Sequence, residues 1–240
     1  MRYHISMNMW IVLIVLVLLG IVLSSAANTL LKARAAKVLM AHETPFRIEG
    51  ENYTKTMLVL GDSTGVGVGA ATPEESVAGR VASYIGATYV ENHAVSGAAV
   101  ADLPKQISQA ARGEYDLILI HIGANDILGF NDPKRVGSEL TRILSTLPKV
   151  GKTVVLSAGN VGGATLFPRV VRFFHTRLTL QYHEAFAEAV QGTTALYVNL
   201  YLPPKEDPFL KYPQTYLAED GLHPSSEGYG LWFEQVKEVL

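Results

Sequence analysis

The 240-residue chain contains no cysteine, which excludes disulfide bridges, thiolate nucleophiles and cysteine-ligated metals. That absence leaves the compartment open. An excess of charge of either sign is also missing, because twenty basic against twenty-two acidic side chains leave a net charge of -2. Such a chain offers no polyelectrolyte attraction for nucleic acid, and no nucleic-acid partner is expected. His93, His121, Asp126, His175, His183 and His223 are scattered without a tight ligand spacing such as H-x-x-x-H, so chemistry without metal or cofactor is expected. His175 and His183, eight apart on a candidate helix, read as solvated or interface residues. Repeats and low-complexity segments are missing as well, and nothing indicates an oligomeric state.

What is present begins with the amino terminus. From Ile5 to Leu31 there is no Asp, Glu, Lys, Arg or His, and Met9–Leu23 is almost wholly apolar. As a helix at about 1.5 Å per residue, Met9–Leu31 spans about 34 Å, enough for a hydrocarbon core of about 30 Å. Residues 1–31 therefore read as a single-pass membrane anchor, with a signal peptide cut after "SSAA" (Ser25, Ala27) as the competing reading. Arg2 on one side faces Lys32, Arg34 and Lys37 on the other, so the positive-inside rule does not decide the orientation. The catalytic part is expected outside the cytoplasm, or secreted or periplasmic if the segment is cleaved. Residues 32–54 read as stalk and linker, with Pro45, Gly50 and Asn52 marking the entry into a domain at 55–240.

Within that domain, short β-rich runs at 56–61, 87–92, 115–123, 152–159 and 194–200 alternate with helical patterns near 74–85, 101–112, 133–147, 176–191 and 225–240. This alternation predicts an α/β fold, a three-layer flavodoxin-like sandwich around a five-stranded parallel sheet. Pro73, followed by Glu74 and Glu75, is expected to start the first helix. In such sheets ligands sit beyond the carboxyl ends of the strands, so the segments just after each run carry the functional interest.

The first of these, "LVLGDSTGVGVGA" at 58–70, fits competing patterns. Gly61, Ser63 and Gly65 match the G-x-S-x-G elbow, and Gly65, Gly67 and Ala70 match a dinucleotide fingerprint. The elbow reading lacks the earlier strands and the upstream HGGG-type loop. The dinucleotide reading puts its first glycine four residues after the strand end, too late for the tight turn. The glycines after Ser63 read instead as a flexible floor beneath an entering acyl group.

The strand ends together supply a hydroxyl (Ser63), a flexible backbone amide (Gly97), a carboxamide (Asn125) and an Asp220–His223 pair spaced i, i+3. Acyl transfer needs these groups: a nucleophile, a base, an acceptor that orients the base, and donors for the developing oxyanion. The blocks "VLGDST", "ENHAVSG", "IGAND" and "DGLHPSSEGY", in this order from about Lys55 to Leu240, resemble those of the SGNH (GDSL) hydrolases, a family of esterases, lipases, thioesterases and carbohydrate deacetylases. The resemblance implies Ser63 as nucleophile, His223 as base and Asp220 as its orienting acid. It implies an oxyanion hole formed by the Ser63 and Gly97 N–H groups and the Asn125 side-chain amide. Thr64 stands where the family has its leucine, and His93 reads as a hydrogen-bonded structural residue.

The expected activity is carboxylic (or thio)ester hydrolysis through an acyl-enzyme, on a small-molecule or lipid ester. A membrane-anchored O-acyltransferase or a deacetylase acting on glycan or lipid is the alternative. The segment 159–185 mixes Phe167, Phe173 and Phe174 with Arg169, Arg172 and Arg177. It reads either as a lid or lipid-facing surface, or as a helix packing its aromatic side on the sheet.

Overall fold

The computed structural model describes residues 7–50 and 53–240, without the side chains of residues 7–14, 18, 21 and 22. A long first helix, α1 (Met7–His42), leads to β1 (Thr56–Gly61), α2 (Ser63–Val66), α3 (Val77–Ile85), β2 (Tyr89–Asn92), α4 (Leu103–Ile107) and β3 (Glu114–His121). Next come α5 (Ala124–Leu128), α6 (Pro133–Leu144), β4 (Lys149–Leu156), α7 (Arg169–Ala189) and β5 (Ala195–Val198), followed by α8 (Pro208–Lys211), α9 (Pro213–Tyr216) and α10 (Ser226–Lys237).

The strands form one five-stranded sheet in the order β2-β1-β3-β4-β5, with every pairing parallel. This is the flavodoxin-like order expected from the alternating pattern. Successive strand residues feed two cores. Leu58, Leu60, Ile118, Ile120 and Val155 pack with Leu103, Val136, Leu140, Tyr182 and Phe186 from α4, α6 and α7. Met57, Val59, Leu119, Val154 and Leu156 pack with Val81, Ala82, Trp232 and Val236 from α3 and α10. Burial on both faces is why the strands read as near-continuous apolar runs.

Two helix starts differ from the sequence reading. Pro73–Glu75 forms only a 3-10 turn, and α3 starts after Ser76, whose hydroxyl accepts the Gly79 N–H at 3.1 Å. Thr72, ahead of Pro73, makes no such side-chain bond, so the cap decides the boundary. Helix α7 begins at Arg169 rather than near 176, directly after Pro168. It buries His175, Thr179, Tyr182, His183 and Phe186 along one stripe and leaves Phe173 and Phe174 exposed. The expectation of solvated or interface histidines at 175 and 183 is thereby corrected, because their spacing places both on the inward stripe.

Helix α1 runs unbroken across the expected boundary between residues 31 and 32. Among the described residues no helix is long and apolar enough to cross a membrane. The core of the expected membrane run, Met9–Leu23, falls largely outside the described side chains.

Candidate active site

Strand β1 ends at Gly61, where φ is +145° and an added Cβ would lie 2.0 Å from the His121 carbonyl oxygen. Only glycine allows β1 and β3 to approach this closely. Gln106 of α4 clamps that end, its carbonyl accepting the Gly61 N–H at 2.7 Å and its amide donating to the Gly61 carbonyl at 2.8 Å. Asp62 then caps α2, accepting the Thr64 N–H at 2.9 Å and the Thr64 hydroxyl at 2.7 Å. Burial pushes the Asp62 carboxyl up, against the lowering effect of the Thr64 hydrogen bonds. Ser63 is therefore the first residue of a helix whose entry is fixed from both sides.

Across the cleft, Asp220 and His223 occupy a loop closed by a bridge between Leu217 and Pro224. One Asp220 oxygen accepts the N–H groups of Leu222 at 2.9 Å and His223 at 3.0 Å, and the other lies 2.5 Å from His223 Nδ1. His223 Nε2 is 2.8 Å from Ser63 Oγ. Burial alone would raise the Asp220 carboxyl, but the hydrogen bond and charge of His223 and the two backbone N–H groups reverse this and hold it below the usual carboxylate range. An ionised Asp220 can only accept, which places the imidazole proton on Nδ1 and leaves Nε2 free to take the Ser63 proton. Ser63 is 6% exposed, His223 4% and Asp220 0%, so the relay is shielded from water.

Gly97 comes from the loop after β2, and Asn125 from the first turn of α5, just beyond β3. Gly97 adopts φ +88°, and Asn125 donates from Nδ2 to the Ala98 carbonyl at 2.9 Å. The N–H groups of Ser63 and Gly97 make no backbone hydrogen bond among the described residues. A cavity of about 270 Å³ is lined by Ser63, Gly97, Asn125 and His223 together, and by Leu200, Leu202, Phe209, Trp232 and other mainly apolar residues. All five residues singled out from the sequence thus meet beyond the carboxyl ends of the strands, with Asp220 behind His223.

The supporting residues are ones that sequence reasoning missed. Besides Gln106, Asn92 donates to the Gly65 carbonyl at 2.9 Å and accepts the Ala94 N–H at 3.0 Å. Asp126 accepts the Val100 N–H at 2.9 Å, tying the Gly97 loop to the Asn125 turn. Asn92 and Asp126 lay inside the quoted blocks, but Gln106 carried no signal.

The expectation for the glycine run is corrected. Gly65, Gly67 and Gly69 do not line the cavity. A Cβ at Gly69 would meet the Pro224 carbonyl at 2.5 Å, and one at Gly65 would meet Ala94 Cβ at 3.0 Å. Gly69 and Gly65 let the His223 loop and the β2 loop pack against the Ser63 helix, and Gly67 admits Ser76 at the start of α3. His93 is structural as expected, with Nε2 2.9 Å from Glu91 Oε2. In the 159–185 segment only the turn at 159–164 lines the cavity, and α7 does not cover it.

Comparison with known proteins gives a consistent picture. The model of the GDSL-like lipase/acylhydrolase family matches residues 59–231. No curated protein matches. The chain is similar to the structure of a lipolytic G-D-S-L protein from Veillonella parvula at 20% identity and a TM-score of 0.54, covering 78% of this chain and 98% of that one. It is similar to a variant of an acetyl xylan esterase from Geobacillus stearothermophilus (21%, TM-score 0.53, 77% and 94% covered). A phospholipase A1 from Streptomyces albidoflavus shares the fold at 14% identity (TM-score 0.55, 77% and 98% covered).

Proposed function

The chain belongs to the GDSL-like lipase/acylhydrolase family, the SGNH hydrolases, and on that premise we propose that it hydrolyses a carboxylic ester through an acyl-enzyme on Ser63. The observation that carries this reading is the unbroken line from Ser63 Oγ through His223 to Asp220, at 2.8 Å and 2.5 Å. Ser63 Oγ attacks the ester carbonyl carbon while its proton passes to His223 Nε2. The carbonyl oxygen becomes an oxyanion facing the Ser63 and Gly97 N–H groups and the Asn125 amide. When the intermediate collapses, the carbon–oxygen bond to the alcohol breaks and the alcohol leaves with the proton from His223. Water then attacks the acyl-Ser63 carbonyl, giving its proton to His223, and the second collapse releases the acid and returns the proton to Ser63.

Asp220 stays ionised throughout and stabilises the imidazolium. The reading includes attachment to a membrane through Met9–Leu31, supported by the length and apolarity of that run. Fluorophosphonate labelling tests the nucleophile. Ser63 is the expected adduct site, and labelling that persists on another residue in Ser63→Ala would overturn the assignment. Membrane attachment is tested by carbonate extraction of cell membranes, where release of the uncleaved chain into the soluble fraction counts against it.

A further inference from the structure

The carboxyl-terminal half of α1 lies outside the residues matched by the family model, 59–231, yet it rests directly on the domain. Ala36 is buried, and Leu39 and Met40 pack on Val66, Val68 and Ala94, next to the Ser63 helix. Glu43 accepts the Gly69 N–H at 3.2 Å. Lys32, near the other end of this contact, donates to the Thr165 carbonyl at 3.2 Å and the Thr165 hydroxyl at 2.6 Å. Thr165 is followed by Leu166, whose N–H donates to Gly221 beside Asp220 at 3.0 Å. Helix α1 is thus fastened at both ends of the site, and Met40 lines the same cavity as Ser63.

The cavity's chemistry is one-sided. Away from Ser63, Thr64, Asn125 and His223, its polar side chains are Asn160 and Gln235, and the rest of the lining is predominantly aliphatic and aromatic. A sugar hydroxyl placed there would give up its hydrogen bonds to water without replacement, whereas an alkyl chain would gain from burial. Size narrows the choice further. An engineered cavity of about 150 Å³ accommodates the six carbons of benzene, so by volume one of about 270 Å³ holds roughly ten carbons. Methionine suits a wall that follows a bending chain, since its unbranched thioether adapts to irregular space.

We propose that this cavity binds a medium-length fatty acyl chain, and that Met40, supplied by α1 from outside the family domain, sets the limit on its length. The proposal rests on Ser63 as the nucleophile. Each methylene of the acyl chain that enters the cavity raises kcat/KM about fourfold, the equivalent of about 0.8 kcal/mol, until the chain reaches the wall. Acetyl esters therefore use only a small part of the site.

The test is a series of p-nitrophenyl esters from acetate to palmitate, hydrolysed by the full-length chain in detergent micelles. The expected profile rises to an optimum near ten carbons. In Met40→Trp, the ratio of decanoate to acetate kcat/KM falls at least tenfold, and in Met40→Ala the optimum moves to longer chains. Val38→Trp, on an exposed position of the same helix, leaves the profile where it was. An optimum at acetate, a decanoate to acetate ratio unchanged within twofold in both Met40 variants, or an equal shift in Val38→Trp overturns the proposal. Those outcomes leave the nucleophile in place, whereas turnover that survives Ser63→Ala overturns the reading beneath it.

Discussion

Ser63, His223 and Asp220 form the polar end of the site, joined by hydrogen bonds of 2.8 Å and 2.5 Å; its apolar end is the cavity wall of residues such as Leu202, Phe209 and Trp232, whose contacts have no direction. Hydrogen bonds weaken steeply with angle and distance, while apolar burial is roughly proportional to area. The polar end is accordingly held by further directional bonds, from Gln106 to the Gly61 carbonyl, from Asn92 to Gly65 and from the Leu222 and His223 N–H groups to Asp220. The apolar end is held by ring packing, with Trp232 between His121, Phe209 and Tyr229. One end tolerates almost no displacement, and the other tolerates changes of shape that preserve volume.

Substitutions at each end sharpen this contrast. Asp220→Asn keeps the shape of the loop but removes the acceptor that fixes the His223 proton on Nδ1, and kcat is expected to fall about 10⁴-fold with little change in melting temperature. A loss below tenfold in steady-state kinetics would break the contrast. Trp232→Ala does the reverse, with an expected loss of about 3–5 kcal/mol of stability, read as a drop in melting temperature of roughly 10 °C. The folded fraction below that temperature should still label with fluorophosphonate. Asn125→Ala removes one oxyanion donor and should lower kcat about 10²- to 10³-fold; an effect confined to KM would assign Asn125 to binding instead.

The smallest expected effect is on stability against pH. Burial holds His121 at about 3 and His183 at about 4, both below the ordinary 6.5. The unfolded chain therefore binds protons that the folded chain refuses, and stability is lost as pH falls from 6.5 toward 4. Each histidine contributes up to about 1.4 kcal/mol per pH unit across that window. Melting temperatures at pH 7 and pH 4 measure the slope, and His121→Leu should flatten it; an unchanged slope would exclude His121 as a source.

The same contrast separates what the sequence revealed from what it hid. Near-continuous apolar runs marked β1 and β3, because a parallel sheet buried on both faces leaves no polar alternation, and their alternation with helical patterns pointed to the flavodoxin-like order. The proposed catalytic residues were visible because the chemistry demands particular side chains, and these stand just after β1 and β3 and in the loop before α10. Gln106 was invisible, since its partners are backbone atoms of Gly61, forty-five positions away, and any chain segment offers such atoms. The glycines at 65, 67 and 69 were misread for a related reason. Their freedom was legible, but the backbone and side chains they admit, from Ser76, Ala94, Ala218 and Pro224, come from other segments of the chain. The burial of His175 and His183 depended on which stripe of α7 faces inward, and no side-chain cap at Pro168 marked where that helix begins.

The contact between Ser63 and His223 spans 160 positions. Closing a flexible loop of that length carries an entropic cost of about 4–5 kcal/mol, which local structure cannot repay. During refolding, β1 and its neighbours can form while the chain is still inert toward esters, and activity is expected only once the carboxyl-terminal loop has docked. Recovered turnover should therefore lag behind recovered helical signal, making hydrolysis a report on the last long-range closure of the chain.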